Sequence, residues 1–213
     1  MSNMCGRFTF QGNQWPELVS EIEKPIIEPN YNICPQDESP VIHLDSGQVN
    51  VTMMRWGLRP SWSKKSTMEP INARIESVES KPMFRDAYAQ RRCLIPADGW
   101  YEWKTTPRGK VPFYHRDSSQ SPILMAGIHE QWAGDGQQYQ NFCLLTRESR
   151  SGLTHVHHRM PVLLDANASL PWLEEQIIHQ DNYEIEVYPV GREVNKTSAQ
   201  GVQLTQPLRT LFD

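Results

Sequence analysis

Apolar residues in this chain recur mostly at every second position, in short runs broken by proline, glycine and aspartate. Alternation of that period marks half-buried strands. It predicts strands at 40–44 and 49–53 around the turn Asp45-Ser46-Gly47, and at 92–97 and 100–104 around Asp98-Gly99. Further strands are expected at 111–116, 122–128, 141–146, 161–164 and 184–190. Helical spacing occurs in fewer places. Trp15, Leu18, Val19 and Ile22 fall on one face of a helix over 14–24, with Pro16 suited to its first turn and Pro25 ending it. Shorter helices are expected at 80–90 and 170–179, and residues 55–70 read as a loop rich in Trp, Pro and Lys. Many short strands with few helices predict an α+β fold. The expected form is a single domain, a mostly antiparallel, curved or barrel-like β-sheet flanked by a few short helices.

Composition narrows this picture. A chain of 213 residues, 38% hydrophobic, can bury a full core without staples. No apolar run approaches the roughly 20 residues that span a bilayer, and the first 30 residues lack a signal-peptide pattern. The four cysteines, Cys5, Cys34, Cys93 and Cys143, form no C-x-x-C pair, so reduced thiols in a cytoplasmic compartment are expected. The formal net charge of -4 hides an asymmetry: residues 53–110 hold 12 Lys/Arg against 6 Asp/Glu, and the remainder 9 against 19. That permits a basic patch on an acidic molecule, or a basic stretch scattered over the surface.

Four segments place chemistry-bearing residues where core elements do not want them. The first is Met4-Cys5-Gly6-Arg7-Phe8. A cysteine at a free N-terminus carries an α-amine and a thiol on adjacent carbons, and that pair condenses with an aldehyde to an imine and then a thiazolidine ring. The alternative is an ordinary buried thiol. In Ile71-Asn72-Ala73-Arg74-Ile75-Glu76-Ser77, alternation puts Asn72, Arg74 and Glu76 on one face, either a ligand-holding face or a solvated one. In Asp98-Gly99-Trp100-Tyr101-Glu102-Trp103, bulky aromatics around Glu102 favour burial, which raises a carboxyl pKa toward neutrality. In Thr154-His155-Val156-His157-His158-Arg159, the H-x-H spacing invites a metal. No carboxylate or cysteine lies nearby at ligand spacing, so acid–base work by one histidine is preferred, with no metal and no cofactor.

Taken in order, these segments resemble the SOS-response-associated peptidase (SRAP) family. The markers are Cys5-Gly6-Arg7-Phe8, Tyr31-Asn32-Ile33-Cys34-Pro35, Arg55-Trp56-Gly57-Leu58-Arg59-Pro60-Ser61-Trp62 and the segment 71–77. Arg92-Cys93-Leu94-Ile95-Pro96-Ala97 running into 98–103, His157-His158-Arg159-Met160-Pro161, and Tyr188-Pro189-Val190 with Val194-Asn195 complete the set. The resemblance implies a protein that recognises abasic sites in single-stranded DNA and at single-strand/double-strand junctions. It implies that Cys5 traps the ring-opened sugar aldehyde as a thiazolidine DNA–protein crosslink. Glu102 then assists proton transfer, His157 acts as general acid/base on the sugar oxygen, and Asn72 positions the cysteine and lesion. Arg7, Arg74 and Arg159 are expected to grip phosphates, and Trp62 to pack against bases. A monomer without membrane attachment, cytoplasmic and at the nucleoid when on DNA, is implied. A thiol autopeptidase or peptidase using Cys5 with His157 and Glu102 is the alternative.

One departure stands out. The family pattern begins Met-Cys, whereas this chain reads Met1-Ser2-Asn3-Met4-Cys5. Residues 1–4 are expected to be a tag remnant or mis-assigned start, ahead of a self-removed leader or an inactive member, with the SRAP domain at 5–213. While they remain, the Cys5 amine is blocked and no imine forms.

Overall fold

A computed structural model describes residues 5–64, 69–134, 136–178 and 181–208. The strands are β1 (Arg7–Phe10), β2 (Asn30–Ile33), β3 (Glu38–Asp45), β4 (Gln48–Trp56), β5 (Asn72–Arg74), β6 (Arg92–Ala97) and β7 (Gly99–Thr106). They continue with β8 (Gly109–Asp117), β9 (Ile123–Gly134), β10 (Gln137–Glu148), β11 (Arg159–Pro161), β12 (Leu163–Leu164) and β13 (Ile185–Pro189). Among the described residues two α-helices accompany them, α1 (Arg85–Gln90) and α2 (Ala166–Glu175).

Strands β4, β3, β6, β9 and β10 pair in that order, and β10 returns to β4, so five strands close into a barrel. The closing seam is parallel, Asn141 opposite Arg55 and Phe142 opposite Trp56, while the other four pairings are antiparallel. A second, antiparallel sheet runs β13-β8-β7-β1-β2. The sequence expectation of a mostly antiparallel, barrel-like α+β domain therefore holds.

Period-two burial explains how the layers fit. Along β6, Leu94 packs with Ala87 and Tyr88 of α1 and Trp172 of α2. Its neighbours Cys93, Ile95 and Ala97 pack the other way, with Phe8, Phe10, Trp56, Trp100 and Met125. The second cluster joins β1 and β7 to the barrel; Phe8 meets Trp56 edge-on, ring centroids 5.0 Å apart. Each such buried side chain contributes roughly 1.5–3 kcal/mol. A third cluster, Tyr101, Tyr114, Tyr188, Val190, Val194 and Leu204, fastens the late segment 190–205 across the second sheet.

Three expectations need correction. Residues 14–24 do not form a helix: only Glu17–Val19 turns, as a 3-10 helix. Val19 N to Pro16 O and Ile22 N to Val19 O are three-residue bonds. The eight residues between Pro16 and Pro25 are too few to hold an α-helix unaided, and Pro16 gives no side-chain cap. The apolar side chains still pack as read, with Val19 buried and Trp15, Leu18 and Ile22 against the same cluster. The helix expected at 170–179 starts earlier because Asp165 caps it, accepting from Asn167 N and Ala168 N. The strand expected at 161–164 splits at Val162, β11 pairing with β10 and β12 with β9. Residues 1–4 lie outside the described residues, and so does the expectation about them.

Gly99 opens β7 where a Cβ would sit 2.3 Å from His115 O and 2.6 Å from the Tyr114 ring. Gly99→Ala is expected to cost about 1–3 kcal/mol in urea denaturation, as overpacking does, because backbone rather than a flexible side chain must move.

Candidate functional site

The register of β1 on β7, with Arg7 opposite Tyr101, leads the chain before β1 past Glu102. Cys5 N donates to Glu102 Oε1 at 2.9 Å. Asn72, at the start of β5, donates from Nδ2 to Cys5 O at 3.4 Å. Cys5 is fully buried, with φ +38°, a left-handed value rare for a residue with a Cβ. One cysteine is thus held by residues 67 and 97 positions away.

Glu102 sits on the same face of β7 as Trp100 and is 2% exposed. Burial pushes its carboxyl from an ordinary 4.5 up to about 8, against the small lowering from the Cys5 N–H. At neutral pH it is a protonated acid, with one oxygen accepting from Cys5 and a proton to give. Burial first, and then the Glu102 charge, raise the Cys5 thiol well above its usual range, so the sulfur is held as a thiol.

His157 lies on the loop before β11. Its Nδ1 lies 3.1 Å from Arg159 N and 3.2 Å from Arg159 O, so the backbone of its own segment fixes the ring and leaves Nε2 unengaged by those contacts. Burial lowers its pKa first, and the neighbouring His158, Lys110 and Arg159 charges lower it further, so the ring is neutral at pH 7. Gly6, Arg7, Pro35, Glu102, Trp103, Lys110, His157 and Asn195 line one open cleft of about 290 Å³. Behind it, a narrow crevice runs between Glu102, His157, Arg159 and the stacked pair Trp100–His115, ring centroids 4.7 Å apart. His115 is buried and its pKa falls to about 3. His155, the other half of the H-x-H pattern, turns away to Gly152 O at 2.7 Å.

The expected arginines separate. Arg7 lines the cleft, its Nε on Cys34 Sγ at 3.0 Å and its guanidinium 5.9 Å from the Trp103 ring centre. Arg74 is exposed and lines a neighbouring cavity of about 340 Å³ with Glu148, Ser149, Thr154, His158 and Arg159. Arg159 is 5% exposed; its two Nη groups reach Glu76 at 2.6 and 2.8 Å, and Nη2 also reaches Thr146 O at 2.6 Å. A phosphate grip by Arg159 does not fit that placement. Its guanidinium is committed, and its backbone N–H holds His157. Trp62 is 59% exposed on the loop after β4 and outside both cavities. Its loop is pinned beside it by Trp132 Nε1 to Ser63 O at 2.7 Å and by Arg59 stacked 3.4 Å from the Trp132 ring centre.

Sequence reasoning gave no role to Lys110, Trp103 or Asn195, although the last two fall within quoted motifs. Asn195 reaches the cleft because Asn32 Nδ2 donates to Lys196 O and Ala199 O, at 2.9 and 3.2 Å. Nothing local in the sequence signals Lys110, which arrives only through the pairing of β7 with β8.

A thiol, a protonated carboxyl, an amide and a neutral imidazole gathered on a β-barrel with an attached sheet define a cysteine-centred site with built-in proton carriers. The chain belongs to the SOS response associated peptidase (SRAP) family, whose model matches residues 4–197. It is 30% identical to the abasic site processing protein YoaM of Bacillus subtilis, over 94% of this chain and 97% of that one. It is 29% identical to the abasic site processing protein YedK of Escherichia coli, over 96% and 100%. A crystal structure of a protein from Bacteroides thetaiotaomicron superposes with a TM-score of 0.76 at 21% identity, covering 97% and 98%, and shows the same fold.

Between pH 4.5 and 8 the unfolded chain has released a Glu102 proton that the folded chain keeps. Stability therefore falls as pH rises through that window. Glu102→Gln carries no such proton. Its stability relative to wild type is expected to be flat below about pH 4.5, to grow up to about 8 and to level above, in denaturant titrations at each pH. A difference independent of pH would mean that Glu102 is ionised in the folded chain.

Proposed function

We propose that this protein processes abasic sites in single-stranded DNA and at single-strand/double-strand junctions, by covalent capture through Cys5 once its amine is free. The amine adds to C1′ of the ring-opened sugar and water leaves, giving the imine. The thiol then adds across the C=N bond, its sulfur bonding C1′ and its proton passing to nitrogen, to close a thiazolidine. Glu102, at hydrogen-bond distance from that nitrogen, moves the proton, and the His157 imidazole serves the sugar oxygen as acid–base group across the same cleft. Asn72 fixes the Cys5 carbonyl. Arg7 and Arg74 hold phosphates, and Trp62 stacks on bases. The protein acts as a monomer in the cytoplasm, at the nucleoid when engaged with DNA.

The contact between Cys5 N and Glu102 carries this reading: it puts an acid–base group on the nitrogen that must become the nucleophile. The names of the relatives support it. The same contact favours a second activity, self-removal of residues 1–4, since cleavage of an amide needs a proton delivered to its nitrogen. Turnover of other peptides is less favoured, because the buried thiol is not a ready thiolate.

Protein whose intact mass begins at Cys5 is expected to give a denaturant-resistant band with abasic single-stranded DNA, and Cys5→Ala none. Protein retaining residues 1–4 should give none either. Absence of the band from the processed wild type overturns the proposal. Arg74→Ala is expected to weaken binding to many sequences alike and to reduce the salt slope by about one; altered sequence preference at an unchanged slope would contradict the phosphate role.

A further inference from the structure

The outer half of the cleft, beyond Glu102 and His157, is lined by Arg7, Trp103, Lys110 and Asn195. Its polar side chains present donors. Arg7 directs Nε into Cys34 Sγ, which leaves both Nη groups for the cleft. Trp103 Nε1 donates to Asn195 Oδ1 at 2.8 Å, which occupies the amide's acceptor and leaves its NH₂ end to offer. Lys110 is exposed on β8 opposite Thr105. Among the described residues neither Arg7 nor Lys110 is ion-paired. The one acid in the lining, Glu102, is held protonated by burial and does not compensate them.

Three kinds of donor around an open cleft with two uncompensated positive charges suit an oxyanion. A neutral carbonyl or hydroxyl ligand would leave both cations without a counter-charge. The position also matters. The His157 and His158 rings lie 4.5 Å apart, His157 facing this cleft and His158 the cavity that holds Arg74. The histidine pair thus stands between the cleft that holds Arg7 and Lys110 and the cavity that holds Arg74.

We propose that Lys110, with Arg7 and the Asn195 amide, forms a phosphate subsite for the strand phosphate adjoining the lesion on the side away from Arg74. The proposal rests on the DNA-processing reading above and adds the residues that set the strand's path through the cleft. Two grips on opposite sides of one nucleotide hold the sugar over Glu102 whatever the flanking bases are.

The test uses the full chain and a single strand carrying a tetrahydrofuran abasic analogue, which has no aldehyde and cannot crosslink. Each linkage flanking the analogue is replaced in turn by a neutral methylphosphonate, and Kd is measured for wild type, Lys110→Gln and Lys110→Arg over a range of salt. One linkage is expected to cost the wild type about five- to tenfold when neutralised, and to cost Lys110→Gln almost nothing further. Lys110→Gln should bind the unmodified strand about five- to tenfold more weakly, with a salt slope lower by about one, and Lys110→Arg should restore both. If Lys110→Gln binds like the wild type, or every methylphosphonate penalty persists in it undiminished, the subsite is overturned. Wild-type protein that fails to prefer the abasic strand overturns the wider reading as well, and is distinguished because it fails before any substitution.

Discussion

The hydrogen bond from Cys5 N to Glu102 Oε1 is the constraint around which the rest of the site is arranged. A carboxyl taken out of water is costly if charged and tolerable if protonated and bonded. Glu102 meets both conditions, and in doing so becomes an acid near neutrality. The bond also helps hold Cys5 in a left-handed conformation that costs about 1–3 kcal/mol for a residue with a Cβ. Strand β7 supplies the geometry: its Trp100 and Glu102 face the barrel, while Tyr101 on the other face is tied to Tyr31 O and the tyrosine cluster. The carboxyl cannot leave without moving the strand.

Arg159 plays the matching part on the other wall. Its guanidinium links Glu76, just beyond β5, to Thr146 on β10, and its backbone N–H fixes the His157 ring. The two walls belong to different sheets. The second sheet carries Arg7, Glu102 and Lys110, and the barrel with its added strands carries Asn72, Arg74 and Arg159. The core joining Phe8 and Trp100 to Trp56 and Phe142 therefore sets the width of the cleft.

Much of this was legible in the sequence, for identifiable reasons. Strands β3, β4, β6, β7, β8, β9 and β10 were visible because one face of each packs on apolar neighbours, and β6 falls at the limits expected from alternation. Strands β1 and β2 escaped because four residues give too little period to read, whereas β5 falls within the alternation read over 71–77. The helix at 14–24 misled because spacing reports which side chains are buried, and Trp15 to Ile22 are indeed packed, without reporting whether the backbone bonds close. Glu102 was readable from its aromatic flanks. The burial of Arg159 was not, because its partners Glu76 and Thr146 lie 83 and 13 positions away and pairing of that kind leaves no local trace.

The cleft draws its lining from Gly6 at one end of the described chain to Asn195 near the other. A polypeptide still emerging from the ribosome has its cysteine in hand long before Lys110, His157 or Asn195 has been synthesised. Until these residues are in place, the cleft beside Glu102 lacks part of its lining. Long-range assembly of this kind makes the cleft a property of the finished molecule, absent from a nascent chain that has not yet reached Asn195.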